Sequence, residues 1–150
     1  MRAMHIRNGP GYEVTWVGIA LLGALSALSQ ETQVRQSAAA FVGSWSATHR
    51  GAKYVAVRIA GIRPISGELR AGQIEAAENG NVSEVVREAS DAQKMIEPRV
   101  VGDKLLFKTK DSEGDVIEYE MTLVTRDMAS LNVAGMPLKP FPLTRDRAAK

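Results

Sequence analysis

Val116-Ile117-Glu118-Tyr119-Glu120-Met121-Thr122-Leu123-Val124-Thr125 decides the fold class. Ile117, Tyr119, Met121 and Leu123 fall on one side of an extended chain, and Glu118, Glu120 and Thr122 fall on the other. A period of two with one wet face is the pattern of an antiparallel strand that packs on a core. Working outward, Lys104-Leu105-Leu106-Phe107-Lys108-Thr109-Lys110 sets Leu105, Phe107 and Thr109 against three lysines and Leu106. Tyr54-Val55-Ala56-Val57-Arg58-Ile59 sets Val55, Val57 and Ile59 on one face, with Tyr54 and Arg58 on the other.

Turn signals separate these runs: Arg50-Gly51-Ala52, Glu78-Asn79-Gly80-Asn81, Val101-Gly102-Asp103, Asp111-Ser112-Glu113-Gly114-Asp115 and Arg126-Asp127. Such residues tolerate positive φ or bond their own backbone. Asn79-Gly80 is the strongest type I′ signal, because both central residues of that turn need φ > 0. Ten strands are predicted: Ser44–His49, Lys53–Ala60, Ser66–Ala71, Ile74–Ala77, Val82–Glu88, Met95–Val101, Lys104–Lys110, Val116–Thr125, Met128–Val133 and Pro140–Arg145. Short strands with local connections form a meander, and closing it removes the exposed edges. The expected fold is therefore all-β, a small antiparallel up-and-down barrel of about eight to ten strands, with an open sandwich as the second choice. Pro137, Pro140 and Pro142 place the last strand at an edge or at the barrel seam, since proline cannot donate to a central ladder.

The N-terminal part reads differently. Val14 to Ser29 is uncharged, follows Arg2, His5 and Arg7, and ends in Ala27-Leu28-Ser29. A positive end, an apolar stretch and small residues at the cut make a secretory leader. Cleavage before Gln30 is expected, which gives residues 1–29 as signal peptide, 30–40 as linker or short helix, 41–145 as barrel and 146–150 as a frayed tail. The protein is thus expected to be secreted or periplasmic. The runner-up is an uncleaved anchor, although the run is shorter than the roughly 20 residues that span a bilayer. With no cysteine behind the run, a lipid anchor is excluded, and the exported core must hold without disulfides.

Removing the leader takes Lys+Arg from 19 to 17 and Asp+Glu from 17 to 16, so the net charge falls from +2 to +1. Basic residues alternate with acids, as in Arg87-Glu88 and Lys110-Asp111, so no stripe exists to neutralise successive phosphates, and nucleic acid is not expected as a partner. With one histidine left, His49, and no cysteine, no metal and no cofactor are expected.

Phe41-Val42-Gly43-Ser44-Trp45 opens the first strand with Gly-X-Trp, and Arg145 lies on the last. In this the chain resembles the lipocalins and related calycin barrels. The resemblance implies Gly43 for a close approach, Trp45 as the plug of the closed end, and Arg145 as the cation across its ring. Phe41–Arg145 also resembles a set of small exported bacterial proteins of no assigned function. These share Gly-X-Trp, a hairpin here reading Gly102-Asp103-Lys104-Leu105-Leu106-Phe107-Lys108, and an ending here reading Lys139-Pro140-Phe141-Pro142-Leu143-Thr144-Arg145.

Chemical candidates are sparse. His49 has no orienting acid or nucleophile nearby in sequence, so a histidine at a turn is the simpler reading. Asp111, Glu113 and Asp115 lack the loop length and terminal Glu of a calcium loop. Glu118 and Glu120 keep a strand face wet rather than forming a glycosidase pair, and Asn81-Val82-Ser83 is a sequon that matters in a eukaryotic secretory pathway. No enzyme is expected. The first functional expectation is a binding barrel whose inward residues Val55, Val57, Phe107, Tyr119, Met121 and Leu131, with Ile59, Leu105 and Leu123, hold a small hydrophobic molecule, Tyr119 being the polar handle. The alternative is a protein-interaction module, an envelope accessory or inhibitor, with a filled barrel. An interior cavity above roughly 300 Å³ separates the two.

Overall fold

The structure is a computed structural model that describes residues 37–147. The expected leader and most of the expected linker, residues 1–36, and the last three residues of the tail lie outside the described residues. A one-turn helix, α1, occupies residues 37–41 and buries Ala38 and Phe41. Eleven strands follow: β1 Gly43–His49, β2 Ala52–Ile62, β3 Ile65–Ala71, β4 Gln73–Ala76, β5 Val82–Arg87, β6 Ala92–Lys94, β7 Ile96–Val101, β8 Lys104–Lys110, β9 Val116–Leu123, β10 Met128–Val133 and β11 Phe141–Arg145. Nine of them form one antiparallel sheet in the order β6-β3-β2-β1-β11-β10-β9-β8-β7, which rolls into a nearly closed barrel, while β4 and β5 pair as a separate hairpin.

The two ends of that order, β6 and β7, are consecutive in sequence and separated by Met95 alone. They are two halves of one run that changes partner, β6 lying on β3 and β7 on β8. The Met95 N–H donates to Gly67 O at 3.0 Å, and the buried Thr109 hydroxyl of β8 donates to Gln93 Oε1 of β6 at 2.7 Å. The chain therefore closes the barrel on itself with eight staves and leaves only short edges, which limits edge-to-edge association. A three-residue strand such as Ala92–Lys94 is too short to show a period, and the sequence reading did not separate it.

The last strand lies at the barrel seam, where it meets the first, and not at an open edge. β11 lies between β1 and β10. Its pairs with β1 are limited to Trp45↔Arg145 and Ser46↔Thr144, so Pro142 sits where β10 alone is the partner and its missing N–H interrupts no ladder to β1. The tail is also held further than expected. The Asp146 N–H donates to Ser44 O (2.8 Å), and its carboxylate accepts from the Ser46 hydroxyl (2.6 Å) and pairs with Lys53 (3.3 Å).

Trp45, Val57, Ile59, Leu69, Leu105, Met121, Leu131 and Leu143, all fully buried, fill the barrel from the β1-start end upward. Each such side chain contributes about 1.5–3 kcal/mol relative to exposure. By connectivity, that end also carries α1 and the turns at 63–64, 102–103 and 124–127. The opposite end, the mouth, carries the turn at 50–51, the β4–β5 hairpin, and the loops 111–115 and 134–140.

Candidate functional site

The two barrel ends differ in what fills them. At the closed end Trp45 is 0% exposed, and its Nε1–H donates to the Phe41 carbonyl at the end of α1 (2.8 Å). Arg145 lies over its ring, with the guanidinium carbon 4.1 Å from the centroid, inside the ~6 Å reach of a cation–π contact. The same guanidinium donates to the carbonyls of Val42, Ala40 (2.8 Å) and Arg126 (3.0 and 3.1 Å). Gly43, at φ +130°, lies under this side chain, and a Cβ there would stand 2.8 Å from Arg145 Nη1. Glycine, tryptophan and arginine thus make a tied plug in which the indole nitrogen and all three guanidinium nitrogens donate to backbone carbonyls.

At the mouth the barrel is hollow. A cavity of about 320 Å³ lies among Tyr54 and Val55 of β2, Leu69 and Ala71 of β3, Ile117 and Tyr119 of β9, Leu131 and Val133 of β10, and Phe141 of β11. Gly72, Gln73 and Ile74 of the hairpin and Met136 and Leu138 of the 134–140 loop complete its wall. No charged side chain lines it. Of the residues singled out from the sequence, Val55, Tyr119 and Leu131 border the cavity. Val57, Phe107 and Met121 point inward but pack in the filled part of the core, where Phe107 stacks on Tyr119 with centroids 5.1 Å apart.

Two neighbouring segments roof the hollow. Gly72 N–H donates to Tyr54 O (2.7 Å) and Ala89 N–H to Lys53 O (2.9 Å), which fixes the base of the hairpin to β2. The His49 Nε2–H donates to Ser83 O (3.1 Å), so this histidine is a strut of the hairpin. At the hairpin tip, Gly80 is buried and its carbonyl accepts from the Lys139 N–H (3.0 Å), joining hairpin to loop. The tip is not the type I′ turn that Asn79-Gly80 suggested. Among these residues only Gly80 has φ > 0 (+80°), and its N–H closes a turn on Ala77 O. The type I′ geometry falls instead on Arg50-Gly51, both with positive φ (50° and 85°), between the paired residues His49 and Ala52.

Tyr54 is the cavity residue that strict alternation missed. Ala47 pairs with Val55 and Thr48 with Lys53, so Tyr54 is an extra residue in β2, a bulge. Two adjacent bulge residues share one side of the sheet, and both Tyr54 and Val55 are buried, at 3% and 4% exposure. The Tyr54 ring meets Phe141 edge-on at 5.4 Å. Burial pushes its phenol above the ordinary value, and burial does the same at Tyr119, partly offset by hydrogen bonding with Thr109. Both phenols are therefore neutral at physiological pH, able to exchange hydrogen bonds but not to act as bases.

The other hollows are of a different kind. One of about 1090 Å³ is an open groove at the closed end, along residues 123–128, 144–147 and Ala39-Ala40. Another, of about 530 Å³, crosses the outer face of β7–β10, where Lys108 pairs with Glu97 (3.4 Å) and Glu118 (3.5 Å) and Lys104 with Glu120 (2.8 Å). These pairs give all three glutamates a lysine partner on a wet surface. Asp111 caps its own loop, accepting from the N–H groups of Glu113 and Asp115 (both 2.9 Å). Among the described residues no helix is long and apolar enough to cross a membrane.

In comparison with known proteins, no family model, no curated protein and no solved structure matches the chain.

Proposed function

We propose that the protein is an exported, lipocalin-like binding barrel that carries a small hydrophobic molecule under the β4–β5 hairpin, with residues 1–29 as its leader and the periplasm or extracellular space as its place of work. The observation that carries this reading is the cavity of about 320 Å³ with an uncharged wall, at the lower end of the roughly 300–1000 Å³ range of ligand sites. Its position supports it further: by connectivity the hollow lies at the end opposite the Trp45–Arg145 plug, walled by the barrel strands and by residues 72–74 at the start of the hairpin. Binding is favoured over catalysis because His49 is engaged as a strut and no acid faces the cavity. The test is organic extraction and mass spectrometry of protein recovered from the exported fraction, beside a Leu131→Trp variant that fills the hollow. A recurrent apolar compound is expected with the wild type and none with the variant, and exported chain should begin at Gln30. Empty wild-type protein that captures a protein partner equally well in both forms would overturn the carrier reading.

A further inference from the structure

Tyr54 has no hydrogen-bond partner for its hydroxyl among the described residues, although its side chain is more than nine-tenths buried. Buried hydroxyls are normally bonded, since an unmade bond costs roughly the desolvation of the group. The hydroxyl oxygen is not sealed within the packing, because no buried side-chain oxygen is left without a partner. Tyr54 is also one of the residues that line the cavity. The residue is there because of the bulge opposite Ala47, a device that re-aims side chains at barrel rims. Without the extra residue, position 54 would point outward, as the flanking alternation of Val55, Val57 and Ile59 requires.

We infer that Tyr54 is the anchor for the polar group of the bound molecule, and that the ligand is a compact, uncharged compound with an apolar body and a single hydroxyl, carbonyl or amide group. The inference rests on the cavity reading above. Three observations set the class. The wall offers no cation to a carboxylate or phosphate and no anion to an amine, and an ion without a partner is costly to bury. A volume of about 320 Å³ suits a compact body. β2 and β9 are four staves apart in a ring of eight, so Tyr54 and Tyr119 stand on opposite walls, and a flat body fits between them. Of the two phenols, Tyr119 has its ring stacked on Phe107, whereas Tyr54 is the one that the bulge adds to the cavity wall.

Equilibrium dialysis of the purified full chain against naphthalene, 2-naphthol and 2-naphthoate at neutral pH tests this, with wild type and Tyr54→Phe in parallel. The phenylalanine keeps the ring and its contact with Phe141, so only the hydroxyl is lost. Wild type should bind 2-naphthol at least about tenfold more tightly than 2-naphthoate. Tyr54→Phe should weaken 2-naphthol by about threefold to tenfold and leave naphthalene within about twofold, which also shows that the variant retains its cavity. Equal binding of naphthoate and naphthol, or an equal shift of naphthol and naphthalene by the substitution, would overturn the inference and leave the cavity reading intact. Failure of all three compounds to bind wild type would overturn both.

Discussion

The closed end and the mouth of this barrel are built from the same strands and solve opposite problems. At the closed end, each guanidinium nitrogen of Arg145 and the indole N–H of Trp45 donate to backbone carbonyls, and Gly43 provides the space. At the mouth, a bulge adds a buried tyrosine whose hydroxyl is left over, and the roof is joined across its tip by one backbone hydrogen bond. On the proposed reading, the difference separates what stabilises the barrel from what would hold a ligand. Interactions that complete one another belong to the plug, and the incomplete ones surround the hollow, as expected where a ligand supplies the missing partner.

The sharpest way to break that division is to substitute the plug. Trp45→Ala removes a fully buried indole that also bonds α1, and a loss of about 3–5 kcal/mol is expected, enough to unfold much of a small domain. Chemical denaturation followed by circular dichroism measures it. A loss below about 1 kcal/mol would mean that the closed end is not the stability centre. Next in size is Gly43→Ala. With φ at +130° and Arg145 Nη1 2.8 Å from the new Cβ, the substitution strains the backbone and displaces the cation, costing about 1–3 kcal/mol. Arg145→Ala in the Gly43→Ala background should cost less than the two single effects together, because the clash is then gone.

Much of this contrast was legible in the sequence, and the limits follow from particular residues. Period-two runs such as Val116 to Leu123 announce themselves because one face is wet and the other buried. Gly43, Trp45 and Arg145 could be placed because a short motif and a strand position sufficed. The mouth was less legible. Tyr54 alternates correctly on paper, and only the inter-strand register reveals the extra residue that turns it inward. Pro142 lies in a central strand because pairing with β1 ends two residues later, a matter of tertiary register. Ile74, Met136 and Leu138 sit in a hairpin and a loop whose sequences carry no inward signal until the chain folds over the barrel. Local patterns record which face a strand buries, whereas non-local pairing decides what a loop covers.

A smaller effect is expected at the roof. Gly80→Ala puts a side chain at φ +80°, with Pro137 O and Lys139 N each 3.2 Å from the new Cβ. The cost should be near 1 kcal/mol and local. Amide hydrogen exchange should speed up at Lys139, whose N–H bonds Gly80 O, while the strand amides beside Trp45 remain as protected as in wild type. Equal acceleration at both ends would show that plug and roof open as one unit and would erase the contrast.

The smallest effect is a pH dependence, and its sign follows from the phenols. Tyr54 and Tyr119 are both raised above the ordinary value near 10, mainly because burial disfavours the phenolate. Their neutral forms are therefore favoured by folding. The contribution is fully present below about pH 10, where unfolded tyrosine titrates, and is lost as pH rises from there through the higher folded values. Stability of the wild type should thus decline on the alkaline side. Tyr119→Phe should flatten that decline relative to wild type in denaturation series run from pH 8 to 11. An unchanged alkaline slope in both Tyr54→Phe and Tyr119→Phe would mean that water reaches the two phenols, and hence that the mouth is open rather than roofed.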